Sequence, residues 1–322
     1  MAIYTGSSKH LGGTEKVTSK EQYYYGLVQK KVLVTGATGQ LGSELKEFNN
    51  NHESMFQYIY TGSADLDITH LDAVRNFVKE HAIEYIVNCA AYTMVDWCES
   101  DVDVCNAVNH IGAENLAKAA VEFNCKLIHI STDYVFDGKA TTPYREDSPV
   151  NPLSVYGKAK LRAEEAVMSI APDSIIIRTA WLYSSYKANF VKTMLRLMSE
   201  KEVLTIVNDQ HGTPTYAGDL AEAITVILDK AEGGDWKKGS YHFSNLGETT
   251  WFGFAQKIKL LSNIEGCELK PIPTKEYPTP AVRPLYTVLD KSKIQNTFHF
   301  TIPDWEVSLE KFLKKLRGEN KQ

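Results

Sequence analysis

The stretch that decides the fold runs from Lys31 to Phe48 and reads KVLVTGATGQLGSELKEF. An apolar, β-branched run over residues 31–35 leads into three glycines, Gly36, Gly39 and Gly42, and then into a helical pattern over residues 43–48. This order of strand, glycine turn and helix is the context of a dinucleotide-binding motif. The first two glycines allow backbone N–H groups to approach a pyrophosphate, the third allows close helix–strand packing, and the helix N-terminus favours an anion.

Strands and helices alternate regularly along the rest of the chain. The pattern predicts strands over residues 56–60, 83–91, 126–131, 174–179 and 203–207, and helices over residues 69–81, 102–123, 155–168, 189–199 and 219–230. Such alternation predicts an α/β fold with a Rossmann-type doubly wound parallel sheet. The ligand crevice of such a sheet lies at the carboxyl ends of the strands, where we expect Gly36, Ala90, Thr132 and Trp181 to converge.

The chain is predicted to divide into a nucleotide domain and a smaller lobe. We expect residues 30–181 to form the dinucleotide-binding domain, with residues 203–232 adding to its sheet. Residues 182–202 and 233–317, which include the proline-dense run Pro271–Pro284 and a closing helix over residues 305–316, are expected to form a C-terminal substrate-binding lobe. Residues 1–29 are polar and lack the apolar core of a signal peptide, so we expect a flexible N-terminal extension.

Composition excludes several functional classes. The 322-residue chain has a net charge of −5 and no lysine-rich block, which argues against a nucleic-acid or membrane-surface partner. It has no run of eighteen apolar residues, so no membrane span is expected. Its five cysteines form no CxxC pair and show no metal-ligand spacing, which predicts reduced thiols and a cytoplasmic location.

The candidate catalytic residues are Thr132, Tyr156 and Lys160. Tyr156 and Lys160 are four residues apart in a predicted helix that follows Pro152, so they share one helical face. A free tyrosine has a pKa of about 10 and needs a nearby cation, here Lys160, to exchange protons near neutrality. Thr132, at the end of a predicted strand, could hydrogen-bond the same substrate oxygen. A YxxxK pattern alone also fits an exposed surface helix; the glycine motif upstream favours the catalytic interpretation.

The choice between NADPH and NADH stays open from the residues. The predicted second strand ends in Thr61-Gly62-Ser63, which offers neither the acidic residue that binds a ribose 2′-hydroxyl nor an arginine for a 2′-phosphate. Asp67 either caps the next helix or faces the adenine. The small side chains of Ala90 and Ala91 leave room for a cofactor at the end of the third strand, or serve helix–sheet packing.

From Lys31 to about Arg317 the chain resembles the dTDP-4-dehydrorhamnose reductases, which are extended short-chain dehydrogenase/reductases. In this superfamily the glycine motif has the GxxGxxG spacing found here. Singly, several of the matching segments occur across the superfamily, but the combination is specific. The segments are VTGATGQLGSEL, VNCAAYTMVDWCES, HISTDYVFDG, PVNPLSVYGKAKLRAE, RTAWLY, NFVKTMLRL, NDQHGTPTYAGDLA and YPTPAVRPLYTVLD.

The resemblance implies hydride transfer from NADPH or NADH, with NADPH favoured, to the C4 ketone of a dTDP-4-keto-6-deoxy-L-sugar, giving dTDP-L-rhamnose. Tyr156 would donate the proton to O4, Lys160 would hold the nicotinamide ribose and lower the tyrosine pKa, and Thr132 would polarise the ketone. Arg283 would bind the diphosphate, since its fork of donors matches phosphate oxygens. The implied cofactor-binding residues are Gly36, Thr38, Gly39, Gln40, Leu41, Gly42, Asp67, Ile68, Ala90, Ala91, Tyr92, Tyr156 and Lys160. The implied substrate-binding residues are Val95, Asp96, Thr132, Trp181, Asn189, Gln210 and Arg283.

Two further comparisons with the family concern a dehydration reaction and a bound metal. Related dehydratases carry an Asp-Glu pair directly after the threonine of this strand, whereas Thr132 is followed by Asp133 and Tyr134, so dehydration is not expected. Some members hold Mg²⁺ between subunits through glutamates. The matching positions are Glu44, Asp219 and Glu306, and because scattered carboxylates are usually solvated we expect no metal.

Other functions remain open at this point. The chain also resembles the dinucleotide-binding regulatory subunits of methionine adenosyltransferase, which lack an established sugar substrate. It could instead act on another nucleotide keto-sugar, as a reductase or as an epimerase with tightly held NAD. The expected partner is a small-molecule dTDP-sugar. Whether the chain also pairs with a second copy as a homodimer stays open.

Overall fold

The computed structural model describes residues 29–319, so the expected flexible extension over residues 1–29 lies outside the described residues except for Gln29. The strands are β1 (Lys30–Thr35), β2 (Phe56–Thr61), β3 (Tyr85–Asn88), β4 (Lys126–Thr132), β5 (Ile175–Thr179), β6 (Leu182–Tyr183), β7 (Val203–Val207), β8 (His211–Gly212), β9 (Thr215–Tyr216), β10 (Gly239–His242), β11 (Thr249–Thr250) and β12 (Glu268–Ile272). The helices are α1 (Gln40–Asn51), α2 (Leu71–His81), α3 (Val95–Cys98), α4 (Val102–Asn106), α5 (Gly112–Glu122), α6 (Val155–Ile170), α7 (Phe190–Glu200), α8 (Ala217–Glu232), α9 (Trp251–Leu261), α10 (Ser292–Phe298) and α11 (Trp305–Leu316).

A six-stranded parallel sheet with the strand order β10-β5-β4-β3-β1-β2 forms the centre of the fold. Val32, Leu33 and Val34 of β1 are fully buried, as expected for a strand covered on both faces. Helices α1 and α8 pack on one face of the sheet, while α2, α5 and α6 pack on the other. This arrangement confirms the predicted Rossmann-type α/β fold.

The order in which strands are added reverses between β1 and β3, which are parallel neighbours although β2 separates them in sequence. The chain therefore leaves β1 and β3 toward opposite edges of the sheet. A crevice opens at their carboxyl ends, and ligands bind at such a switch point in open α/β sheets.

The prediction that residues 203–232 add a strand to this sheet is wrong. Strand β7 pairs in parallel with β12 in a separate two-stranded sheet. The sixth strand of the central sheet is β10, from the segment we assigned to the other lobe, and Ile294 and Phe298 of α10 join the same core. Strand β7 alternates exposed and buried residues, which suits a sheet with one solvated face, whereas β5 of the central sheet is buried throughout.

Two predicted elements differ in detail. The third strand is confined to β3, residues 85–88, and does not extend over residues 83–91. The long helix predicted over residues 102–123 is interrupted by a π-helical turn, Ala107–Ile111, between α4 and α5. Within this turn Asn109 accepts a hydrogen bond from the Tyr92 N–H (2.9 Å) and donates one to the Tyr92 carbonyl (3.0 Å). The π turn thereby joins the helix to the chain that leaves β3.

A second apolar core holds the smaller lobe together. Helices α7, α9 and α11 pack around Tyr183, Phe254 and Phe312, all of which are almost fully buried. Strands β7 and β12 border this core through Leu204, Ile206 and Leu269. Among the helices of residues 29–319, none combines the length and apolar character needed to cross a membrane.

A buried ion pair fixes α6 to the central sheet. The Arg178 guanidinium of β5 donates to the Glu164 carboxylate of α6 through Nε (3.0 Å) and Nη2 (2.7 Å), and both side chains are less than a tenth exposed. The Ser131 hydroxyl of β4 donates to the same carboxylate. A single side chain of α6 is therefore bound to two adjacent strands.

Glu164→Gln should lower the free energy of unfolding by about 3–5 kcal/mol, because it leaves the Arg178 charge buried without its partner. The measurement is urea-induced unfolding of the variant and the wild type. Glu200→Gln is the matched control: Glu200 pairs with Arg196 at 2.7 Å, but both side chains are at least half exposed. The control should change stability by less than about 0.5 kcal/mol. Equal, small effects of the two substitutions would contradict the structural role of Glu164.

Candidate active site

The glycine turn after β1 passes against the end of β3. Gly36 has a φ of +65°, and a Cβ at this position would lie 2.6 Å from the backbone of Ala90. A Cβ on Gly42 would lie 2.5 Å from the Gly36 carbonyl oxygen. Only glycine fits both places, as the sequence motif predicted for the turn and for helix–strand packing.

The N-terminus of α1 is suited to an anion. Its N-cap residue is Gly39, and no side chain caps the first turn. The first backbone N–H groups of an α-helix have no partner within the helix, and they carry a partial positive charge. The donors of this turn therefore fit the pyrophosphate of a dinucleotide. Thr38 lies beside Gly62 at the end of β2, within 3.1 Å of a Cβ built there.

Four other implied cofactor residues have contacts in the described structure. Gln40 donates to the carbonyl of Leu182 (3.4 Å), while Leu41 and Ile68 are buried in the two cores that cover the sheet. Asp67 accepts hydrogen bonds from the N–H and hydroxyl of Thr69 in the turn before α2. Asp67 therefore stabilises the turn before α2, whereas the N-cap residue of α2 is His70.

The three predicted catalytic residues meet at the carboxyl end of β4. Thr132 is the last residue of β4, and Tyr156 and Lys160 lie on the face of α6 that covers it; all three are less than a tenth exposed. Thr132 lies close enough to the Tyr156 hydroxyl to influence its pKa. The Lys160 ammonium donates to the Ile130 carbonyl at 2.6 Å and lies 3.3 Å from Nε2 of His129.

Burial dominates the electrostatics of this cluster. It raises the pKa of Tyr156, and a hydrogen bond from Thr132 offsets only part of this rise. Burial also lowers the pKa of Lys160 to about 8 and that of His129 well below its usual value. In this arrangement the Lys160 ammonium binds the β4 backbone, and burial is the largest influence on the tyrosine pKa.

Asp133, directly after Thr132, was not among the predicted site residues. Its carboxyl group is buried, Oδ1 accepts a hydrogen bond from the Thr132 hydroxyl (3.1 Å), and Oδ2 has no hydrogen-bond partner. Burial raises the pKa of Asp133 to about 6. Sequence reasoning treated this residue only as the remnant of a dehydratase pair, and its position beside Thr132 is the signal that could have identified it.

A cavity of about 470 Å³ lies in the smaller lobe and contains two predicted substrate residues, Gln210 and Arg283. Trp251, which the sequence reasoning missed, also lines it and stacks on Trp181 at 3.6 Å between ring centroids. The Trp251 indole N–H donates to the Gln210 side chain at 3.1 Å. Further lining residues are Phe190, Met194, Leu197, Lys201, Val203, Leu204, Thr205, Ile206, Val207 and Tyr277.

Arg283 links this cavity to the catalytic cluster. Its guanidinium binds both carboxylate oxygens of Asp96 (2.9 and 2.7 Å), and this contact holds the pKa of Asp96 below its usual value. The charge of Arg283 opposes the rise in the Tyr134 pKa that burial causes, so the two side chains are near each other. The Tyr134 ring in turn packs edge-on against Tyr156, with 5.7 Å between the ring centroids.

Two more implied substrate residues have local contacts. Val95 packs against the cluster that contains Tyr156. Asn189 is the N-cap of α7: its side chain accepts from the Lys192 N–H (3.2 Å) and donates to the Ser184 carbonyl (2.7 Å). The Asn189 amide is therefore already engaged in holding the start of this helix.

The three carboxylates that match the family's Mg²⁺ positions do not form a metal site within this chain. Each is paired with a lysine ammonium, and among residues 29–319 no group of three histidines, cysteines or carboxylates is placed to hold a metal. The pairs are Glu44–Lys315 (2.9 Å), Asp219–Lys311 (3.2 Å) and Glu306–Lys257 (2.7 Å). Two of these lysines lie on α11, so the pairs of Glu44 and Asp219 attach the closing helix to α1 and α8.

A glycine turn at the switch point of a parallel sheet, with a buried Thr-Tyr-Lys cluster beside it, defines an oxidoreductase of the short-chain dehydrogenase/reductase class. The family model described as "RmlD substrate binding domain" matches residues 30–318. The chain therefore belongs to the dTDP-4-dehydrorhamnose reductase family, as its sequence motifs predicted.

Similar proteins agree with this assignment. The chain is 39% identical over 287 residues to the dTDP-4-dehydrorhamnose reductase of Aggregatibacter actinomycetemcomitans, covering 87% of this chain and 97% of that one. A crystal structure of the Clostridium acetobutylicum dTDP-4-dehydrorhamnose reductase is 39% identical, with a TM-score of 0.84 over 89% of this chain and 99% of that one. The Bacillus anthracis enzyme, solved in complex with NADP, is 38% identical, with a TM-score of 0.83 over 89% of this chain and all of that one.

Gly36→Ala should lower the free energy of unfolding by at least about 2 kcal/mol, because it adds a positive-φ penalty and a clash with the Ala90 backbone. Urea-induced unfolding measures the change. Gly266→Ala is the matched control, since a Cβ on Gly266 meets no atom within 4 Å, and its effect should stay within about 0.5 kcal/mol. A Gly36 variant as stable as the control would show that the turn does not require glycine.

Proposed function

We propose that this protein reduces the C4 ketone of dTDP-4-dehydro-β-L-rhamnose to give dTDP-L-rhamnose, using NADPH or NADH. The observation that carries the proposal is the meeting of Thr132, Tyr156 and Lys160 at the end of β4, between the glycine turn and the cavity that contains Arg283. The family assignment supports this reaction. NADPH is favoured because the Bacillus anthracis relative was solved with NADP.

The glycine turn and the N-terminus of α1 would hold the dinucleotide pyrophosphate, and Lys160 would hold the nicotinamide ribose. The bound cofactor supplies a hydride. Tyr156 keeps its proton at neutral pH because burial raises its pKa, so it is ready to act as the general acid toward the ketone oxygen. Lys160, whose pKa is lowered to about 8, is close enough to neutrality to return a proton to the tyrosine.

The nucleotide part of the substrate would occupy the cavity of the smaller lobe. Its aromatic and aliphatic lining, with a few convergent polar groups, is the composition typical of small-molecule sites. We assign Gln210 and Arg283 as the polar contacts, with Arg283 toward the diphosphate. Asp96 fixes the orientation of Arg283, so that the guanidinium remains in place next to Tyr134.

We further propose that the protein acts in the cytoplasm, where its five cysteines, all of them free thiols, would stay reduced.

The test of function is oxidation of NADPH or NADH at 340 nm with dTDP-4-keto-6-deoxyglucose and the 3,5-epimerase that converts it to the L-sugar. Oxidation that requires the epimerase supports the proposal. Absence of oxidation by a folded protein that binds dinucleotide would favour another keto-sugar or a regulatory role.

Tyr156→Phe should lower kcat by about 10²-fold or more, because it removes the general acid while keeping the ring that packs against Tyr134. The coupled oxidation assay measures kcat, and fluorescence titration confirms that cofactor binding is retained. The control is Tyr241→Phe on β10, whose hydroxyl donates only to the Lys237 carbonyl (2.9 Å). If both variants keep wild-type turnover, Tyr156 is not the acid.

Arg283→Lys should raise the KM for the sugar nucleotide roughly tenfold and leave the KM for NADPH unchanged, because a lysine cannot reproduce the two-pronged contacts of a guanidinium. Steady-state kinetics with each substrate varied in turn provides the measurement. Arg145→Lys, at a side chain that is 70% exposed, is the matched control. An increase confined to the KM for NADPH would contradict the proposal, because it would show that Arg283 contributes to binding of the cofactor and not of the sugar nucleotide.

A further inference from the structure

A chain of buried hydrogen bonds leads across the central sheet to Lys160. The Thr35 hydroxyl, at the end of β1, donates to Oδ1 of Asn88 at the end of β3 (2.8 Å). Nδ2 of Asn88 lies 3.0 Å from Nδ1 of His129 in β4, and Nε2 of His129 lies 3.3 Å from Nζ of Lys160. Each of the four side chains is 1% exposed, so water does not compete for these contacts.

A backbone N–H fixes the orientation of the Asn88 amide. The N–H of Ala90 lies 3.1 Å from Oδ1 of Asn88, and because a backbone N–H can only donate, the atom that it contacts must be the amide oxygen. The NH₂ group of Asn88 is therefore the end that faces His129. An amide NH₂ can also only donate, so Nδ1 of His129 accepts, and the proton of the neutral ring is then on Nε2.

This tautomer directs an N–H at Lys160. An ammonium has three N–H donors and no acceptor, so a charged Lys160 and the Nε2–H of His129 would meet donor to donor at 3.3 Å. An uncharged amine accepts from the Nε2–H through its lone pair and still donates to the Ile130 carbonyl at 2.6 Å. With the amine, every contact of the chain joins one donor to one acceptor.

The other tautomer moves the conflict to a different contact. With the proton on Nδ1, Nε2 of His129 could accept from the ammonium, but the Nδ1–H would then face the NH₂ of Asn88 at 3.0 Å. A doubly protonated ring would conflict with both neighbours, and burial with the nearby charge of Lys160 holds the pKa of His129 well below its usual value. The ammonium form of Lys160 therefore leaves one buried contact unsatisfied, which the amine form does not.

We propose that Asn88 and His129 are positioning residues that stabilise the amine form of Lys160 through the Nε2–H of His129. This inference rests on the proposed reduction, in which Lys160 returns a proton to Tyr156. In that step the ammonium loses a proton, the tyrosine phenolate gains it, and the lone pair left on Nζ receives the Nε2–H of His129. A proton from water later restores the ammonium.

The hydrogen-bond chain and burial act in the same direction on Lys160. Burial lowers the pKa of Lys160 to about 8, so the ammonium is the resting form at neutral pH and loses its proton as the pH rises further. The chain lowers the cost of that loss. A lysine that gives up its proton readily is a better proton donor to a phenolate than one with an unperturbed pKa.

Several other charged or titratable groups lie near Lys160. They are Tyr156 and Glu164 on its own helix, Cys89 after β3, Cys105 on α4 and His129 on β4. Burial raises the pKa of Tyr156 and that of Cys89, so neither group loses its proton between pH 7 and pH 9. Glu164 is bound to Arg178. Cys105→Ser removes the remaining thiol, and it should leave the pH dependence described below unchanged.

Nitrogen-15 NMR of the histidine-labelled wild-type protein measures the tautomer and requires neither activity nor a variant. Spectra are recorded at pH 9.5, above the pKa of Lys160, with each ring assigned through bonds from the backbone. His129 should carry its proton on Nε2. His242 is the internal reference with the opposite tautomer, because its Nδ1 lies 3.1 Å from the Tyr144 carbonyl, which only accepts. A proton on Nδ1 of His129 at this pH would overturn the proposal.

The second measurement is the pH profile of kcat between pH 7 and pH 10 for wild type and Asn88→Asp, with the epimerase in excess. Wild-type kcat should fall as pH rises through about 8, because the ammonium is lost. A carboxylate at position 88 accepts the Nδ1–H of His129, which leaves Nε2 free to accept from the ammonium. At pH 9 the variant should therefore keep a roughly fivefold larger fraction of its maximal kcat than the wild type, as expected for a rise of about one pKa unit.

Asn296→Asp is the control for the added negative charge, since Asn296 is exposed on α10, and its profile should follow the wild type. An Asn88→Asp profile that falls at the wild-type pH would overturn the proposal. A shifted profile with the proton of His129 still on Nε2 at pH 7 would also overturn it, because the added charge would then act alone. If wild-type NMR shows the Nε2–H but no NADPH is oxidised with the sugar nucleotide, the hydrogen-bond chain stands and the proposed reaction fails.

Discussion

Desolvation at the carboxyl end of β4 is the physical constraint on which the chemistry of this protein depends. Tyr156, Lys160 and Asp133 are ionisable groups that the packing of α6 against the sheet removes almost completely from water. In a medium of low dielectric constant the neutral form of each group is favoured, so the pKa values of the two acids rise and that of the lysine falls. At neutral pH the Tyr156 hydroxyl therefore keeps its proton.

Helix α6 carries three of the buried polar groups, and two of them are paired with groups of the sheet. Tyr156, Lys160 and Glu164 occur at intervals of four on α6, so they lie along one face, and that face is turned toward β4 and β5. The ammonium of Lys160 is satisfied by the β4 backbone, and the carboxylate of Glu164 by Arg178 and Ser131. Because Ser131 directly precedes Thr132, the contacts that anchor the helix also fix the end of the strand that carries the threonine we propose to be catalytic.

The sequence was sufficient for the features that depend on local pattern. The glycine turn, the strands β1, β2, β4 and β5, the helix α6 and the Thr132–Tyr156–Lys160 set all follow from short-range rules of turn chemistry, periodicity and helical spacing. Helix α11 was predicted with its observed bounds. The proximity of Gln210 and Arg283 came only from the resemblance to known reductases.

The features that sequence could not supply are contacts between distant segments. β10 (GSYH) pairs with the edge of β5, although it is less apolar than β7 (VLTIV), so local apolar pattern does not show which strand joins the central sheet. The ion pair of Arg178 with Glu164 and the stacking of Trp181 on Trp251 are of the same kind. The sequence shows that Lys160 is near Tyr156, but it does not show how deeply both groups are buried.

The most direct test of the account is the fate of a labelled hydride. NADPH deuterated at C4 of the nicotinamide, on the face from which hydride is delivered, would be supplied with dTDP-4-dehydro-β-L-rhamnose, and the sugar product examined by mass spectrometry and proton NMR. We predict that one deuterium per molecule appears at C4 of the sugar, with the L-rhamno configuration. Product without deuterium from either face of the nicotinamide, or with deuterium at another carbon, would contradict the assignment of this protein as a C4-ketone reductase.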